Sequence, residues 1–152
     1  MTVWHRVAAD ERGMGGVEVL PFGVLTFVIG GLLIANAWGV VEAKIAATAA
    51  AREAARAYVE APGARQAVEG ADAAARASMA GHGRDPARVE VRVDGIFARC
   101  APVLAEVSYP VPAIRLPWIG GYGEAFEVRA RHREVVDPFR SGDLGPGEAV
   151  CG

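Results

Sequence analysis

Two cysteines in 152 residues, with no Cys-x-x-Cys pair and no histidine at metal-ligand spacing, leave no framework for a zinc site. Basic clusters are missing as well. Sixteen Lys and Arg are scattered among eighteen Asp and Glu, for a net charge of −2, which removes the electrostatic footprint of a nucleic-acid binder. The three histidines read as solvated side chains: His5 near the N-terminus, His82 in a Gly-flanked turn, His132 in an alternating charged stretch. Ser78, Ser108 and Ser141 lie in no nucleophile-elbow pattern, and no phosphate loop or paired-carboxylate motif occurs. No catalytic residue, metal or cofactor is expected.

What the chain does have is one long apolar run, Val19 to Val41, of 23 uncharged residues. As a helix it spans about 34 Å at ~1.5 Å per residue, enough to cross a hydrocarbon core of ~30 Å. Directly before it stands Gly13-Met14-Gly15-Gly16-Val17-Glu18. An ionised Glu18 at the lip of a membrane span costs several kcal/mol unless a positive group pairs with it. The Gly five residues upstream points to the partner.

Gly, a cleavage point, a hydrophobic residue, three further residues and Glu, followed by an apolar helix, is the signature of type IV prepilins, and Gly13 through Val41 resembles it residue for residue. The resemblance implies that a prepilin peptidase cuts between Gly13 and Met14, and that the carboxylate of Glu18 meets the freed amino terminus of a neighbouring subunit during assembly. Such an α-amino group has a pKa of ~7.7 to 8.0 and would neutralise a carboxylate in lipid or in a packed bundle. Within the superfamily, Val17-Glu18-Val19-Leu20-Pro21, the single span and the Ala-rich stretch from Ala49 to Ala57 are most similar to TadE-like pseudopilins of tight-adherence (Flp) pilus systems. Asp137-Pro138-Phe139-Arg140 resembles the tail end of that domain. The implied partners are the prepilin peptidase, other pilin subunits met through the N-terminal helix, the inner pilus-assembly machinery and membrane lipid. The implied roles are fibre structure, assembly or adhesion.

Two other readings compete. Ala35-Asn36-Ala37 before Trp38 has the small-x-small form of a signal-peptidase site, but the apolar stretch before it, Val19 to Ile34, has 16 residues against an ordinary h-region of ~7 to 15, and Glu18 spoils a basic n-region. The alternative from another functional class is a signal-anchored extracytoplasmic binding domain that is not processed at Gly13. Its working part would be the connection from Pro112 to Glu124, where Trp118, Ile119 and Tyr122 stand among glycines. Aromatics there either form a contact surface or close the end of a small core.

Loop charge does not orient the span, because Arg6 and Arg12 precede it while Lys44, Arg52 and Arg56 follow. The leader and the cysteines place the N-terminus in the cytoplasm and the remainder outside, in a single-pass cytoplasmic membrane protein or a surface pilus. In an extracytoplasmic domain this small, a Cys100 to Cys151 disulfide closing the tail is the natural use of the pair. In a cytoplasmic one both would remain thiols.

The organisation expected is a leader over 1–13, a transmembrane and stalk helix over 14–60, an extracytoplasmic domain over 61–140 and a tail over 141–152. From Glu42 to Glu60 neither Gly nor Pro occurs and Ala abounds, so the helix should continue, with Ile45, Thr48, Ala49, Arg52, Ala55, Arg56 and Val59 on one stripe for close approach. In the membrane, Gly30, Gly31, Ala35 and Gly39 form a small-residue face. Ala61-Pro62-Gly63 should end the helix, and a second should run from Arg65 to Met79. Period-two alternation then marks three strands: Val89, Val91, Val93; Val103, Ala105, Val107, Tyr109, Val111; and Phe126, Val128, Ala130. The fold expected is α+β, with a small three-stranded antiparallel sheet and helices on one face.

Overall fold

The computed structural model describes residues 15–116 and 118–139, and their side chains from Val19 onward except at 124 and 125. The fold is α+β, in the order of two α-helices, a short 3-10 turn at Pro86–Arg88 and three strands. The chain divides into two compact units, with the boundary between Ala35 and Asn36.

Helix α1 runs Gly15–Glu60 and has Pro21 in its second turn. It is the one described helix long and apolar enough to cross a membrane. In the first unit its apolar side chains lie uncovered: Phe22 is 72 % and Phe27 81 % exposed, with Val19, Leu20, Leu33 and Ile34 similar. A continuous apolar surface of this kind calls for lipid or a protein partner rather than water.

The second unit takes in α1 from Asn36 onward. Its core is built largely of alanine. On α1, Ala43, Ala46, Ala47, Ala50, Ala51, Ala54 and Ala55 are buried, and on α2 (Ala64–Gly81) the buried residues are Ala67, Ala71, Ala75 and Met79. Their helical spacing and small size let backbones approach closely; a Cβ on Gly70 would stand 3.9 Å from the Ala57 carbonyl oxygen. The stripe expected from the sequence matches this face only in part. Ala55 is buried and Val59 packs against the core, but Ile45 is 57 % exposed and Arg52 and Arg56 face outward, because the buried face, mostly alanine and closed by Tyr58, lies to one side of them.

Helix α2 stops at a Schellman-type turn. Gly83 adopts φ 68, its N–H donates to the Ala80 carbonyl at 2.9 Å, and the Arg84 N–H donates to that of Met79 at 3.0 Å. The turn delivers Arg84 back to α1. There its Nη2 donates to the Gly39 carbonyl at 3.3 Å and lies 3.6 Å from Glu42 Oε2.

Strands β1 (Glu90–Asp94), β2 (Pro102–Leu116) and β3 (Gly120–Val135) form an antiparallel sheet in the order β1-β2-β3. Val103, Ala105, Val107, Tyr109 and Val111 of β2 and Val128 and Ala130 of β3 face the alanines. Val91 and Val93 of β1 pack at the margin of the core. Between β1 and β2, Gly95 has φ 145, and a Cβ there would sit 2.8 Å from the Pro102 carbonyl oxygen. Only Gly fits that turn.

Two expectations fail at the far end of the sheet. The segment from Pro112 to Glu124 is not a long loop but the outer part of the β2–β3 hairpin, paired from Ile114↔Tyr122 to Leu116↔Gly120 beyond a register irregularity at Pro112/Ile114. Its prolines and glycines fit each other across the ladder, since a Cβ on Gly121 would meet Pro112 at 2.7 Å. Phe126 is not a core residue either; it is 59 % exposed, because the helices cover only the inner half of the hairpin.

Candidate functional site

Of the junction residues, Gly13 and Met14 lie outside the described residues. Glu18 falls in the first turn of α1, immediately before the exposed apolar surface. The helix then continues into the second unit. Asn36 begins the second unit, and its side chain binds the backbone of Arg115 twice: Nδ2 donates to the carbonyl at 3.2 Å, and Oδ1 accepts from the N–H. Val40 packs against the core and Ala43 is fully buried. Cover thus begins along this stretch on one side of the helix, while Trp38, 62 % exposed, and Val41, 47 % exposed, continue the uncovered apolar surface.

A second tether lies one stretch further along, where Lys44 Nζ donates to the Arg129 carbonyl on β3. Neither tether is readable from the sequence, since the partners stand 79 and 85 positions away.

Cys100 is disulfide-bonded. Cys151, the other cysteine of the sequence, lies outside the described residues. The segment that carries Cys100 is fastened to the end of β3: its N–H donates to the Val136 carbonyl at 2.9 Å, and the Val136 N–H donates to that of Ala101 at 3.1 Å. Beside it, Phe97 meets Tyr58 of α1 edge to face, with ring centroids 5.7 Å apart.

The outer face of the sheet is charged. Arg131 Nε donates to Glu106 at 2.6 Å, and Arg129 Nη2 donates to Glu127 at 2.6 Å. These hydrogen bonds hold both carboxyls below their ordinary pKa. A folded-state pKa lowered in this way favours the fold above the ordinary carboxylate range, and the contribution fades as pH falls through it; at a solvated surface it is small. An open groove of about 400 Å³ runs here, with Arg76, Glu90, Arg92 and Ser108 among its lining. Its charges are mixed in sign, and Arg76, Glu106, Glu127 and Arg129 are each in an ion pair, which suits a solvated face better than a ligand of one sign. Among the described residues no group of three His, Cys, Asp or Glu is placed to hold a metal ion. His82 caps the end of α2, and His132 Nε2 lies 3.2 Å from Glu134.

No family model, curated protein or solved structure matches this chain.

Proposed function

We propose that this chain is a minor pilin or pseudopilin of a tight-adherence, type IV-like pilus, processed by a prepilin peptidase and acting in the structure or assembly of the fibre. The observation that carries the reading is the junction itself. Glu18 stands in the first turn of a helix whose following apolar side chains, from Val19 to Ile34, are largely uncovered, and Gly13 precedes it at the spacing of a prepilin cleavage site.

The chemistry follows from that placement. A carboxylate at the edge of lipid is costly alone. The amino terminus released at Met14 is positive below its pKa of ~7.7 to 8.0, and on a neighbouring subunit it supplies the missing charge when two helices come together. The ion pair would form only between processed subunits, which ties assembly to cleavage. In this reading the N-terminus is cytoplasmic, α1 crosses the cytoplasmic membrane once, and the α+β unit is extracytoplasmic, where a disulfide is stable. The exposed outer hairpin is the observation that favours the rival, an unprocessed signal-anchored binding domain; cleavage at Gly13 separates the two.

Glu18→Ala should leave membrane insertion and leader cleavage intact and impair assembly. Glu18→Gln should rescue poorly, since an amide cannot form the ion pair. Counting pili on cells carrying each variant, with leader cleavage followed by immunoblot, tests this: normal piliation in the Glu18→Ala strain would remove the assembly role.

A further inference from the structure

The β2–β3 hairpin extends past the core it helps to build. Its inner half is covered, with Val107, Tyr109, Val111, Val128 and Ala130 buried. Beyond the irregularity at Pro112/Ile114 the cover stops, yet the side chains stay apolar: Ile114 is 53 %, Ile119 66 % and Tyr122 51 % exposed, and Trp118 is fully exposed. From Pro112 to Gly123 the only charged residue is Arg115. Trp118 also holds φ 64, a left-handed conformation that a bulky residue adopts at a cost and that Gly adopts freely. The indole is thus set at the apex of the turn without contributing to the core.

The two tethers to α1 fix where that apex lies. Lys44 binds Arg129, which pairs with Ser108 in the inner half of the hairpin, whereas Asn36 binds Arg115 in the outer half. Following β2 from Ser108 to Arg115 therefore runs back along α1 from Lys44 to Asn36, and Trp118 and Ile119 follow Arg115 closely in the chain. Asn36 is the first residue of the folded unit. The outer half of the hairpin is thus bound to α1 at the residue where the second unit begins.

We propose that this apex, formed by Ile114, Trp118, Ile119 and Tyr122, docks into the interfacial layer of the lipid bilayer, giving the folded unit a second point of attachment beside its helix. The inference rests on the membrane-anchor part of the reading above. The composition fits the interface: Trp and Tyr rings place an apolar body in the acyl boundary and a polar edge among the headgroups, Ile adds apolar area, and Arg115 has the length and charge to reach lipid phosphate. No acidic side chain lies between Pro112 and Gly123 to be repelled by anionic headgroups. Two attachment points would fix how the unit sits on the membrane, and entry into a fibre would require the apex to leave the lipid.

The test uses the full chain with Trp4→Phe and Trp38→Phe, which leaves Trp118 as the sole tryptophan of three, reconstituted in phosphatidylcholine vesicles with and without bromine on the acyl chains near the headgroup. A second protein with all three tryptophans replaced by Phe and carrying Val28→Trp reports on the anchor. The proposal expects Trp118 emission to be blue-shifted and to lose intensity in the brominated vesicles, as that of the anchor probe does. Quenching of the anchor probe with Trp118 unquenched at a water-like wavelength would overturn the docking and leave the anchor standing. A blue-shifted but unquenched Trp118 would also overturn it, assigning the apex to a protein occupant such as a second copy. Absence of quenching at both positions would overturn the anchor, and the docking with it.

Discussion

At Cys100 the backbone takes φ 60, a left-handed conformation that costs an L-residue roughly 1 to 2 kcal/mol. Its hydrogen bond to Val136, and that of Val136 to Ala101, hold the segment against the end of β3 and offset part of that cost. Cys100 therefore enters its disulfide from a fixed position. With Cys151 as partner, the bridge closes a loop of about 50 residues and is worth roughly 2 to 4 kcal/mol by restricting the unfolded chain. Peptide maps of protein from the native envelope, run with and without reductant, should differ by one Cys100–Cys151 linked pair. Identical maps would remove the bridge and weaken the extracytoplasmic topology with it. With Cys151 as the predicted partner, a bridge at Cys100 was readable in the sequence from the number of cysteines. The left-handed setting of Cys100 was not, because nothing in Ala98-Arg99-Cys100 marks it.

Alanine makes the elements of the second unit legible and their packing obscure. Its abundance between Glu42 and Glu60 and between Ala64 and Met79 announces two helices, and the alternating valines announce three strands. The direction each helix faces is another matter. When most positions are Ala there is little contrast in the periodicity, so a stripe through Ile45, Arg52 and Arg56 attracts attention although the buried face is a run of alanines closed by Tyr58. The outer hairpin was hidden for a related reason: Pro112, Pro117 and three glycines carry loop signals, and only the cross-strand fit of Gly121 to Pro112 turns them into a ladder. The packing of small faces has a measurable consequence. Ala50, with no exposed surface, should tolerate Leu badly, at about 1 to 3 kcal/mol of overpacking, whereas Ala77→Leu on the exposed side of α2 should change stability by no more than about 0.5 kcal/mol. Thermal unfolding of the detergent-solubilised chain, followed by circular dichroism, checks this; equal midpoints for the two variants would mean that the alanine face is not closely packed.

Across the whole molecule, the sequence motif and the fold bear on function from different sides. Gly13, Met14 and Glu18 are recognisable by spacing, and the fold adds that Glu18 stands in the first turn of a helix with an exposed apolar surface directly after it. The role of Glu18 is not legible within one chain, because its proposed partner is the processed terminus of another. Processing is thus the event on which the account depends. In the prepilin reading Met1 to Gly13 is a polar leader, which ordinary signal peptidase would not recognise. The deciding measurement is the intact mass and N-terminal sequence of the mature protein from cells with an active prepilin peptidase. The account predicts a chain that starts at Met14, and a Gly13→Leu variant that inserts but keeps its leader; a mature chain that starts at Met1 or at Trp38 would contradict it.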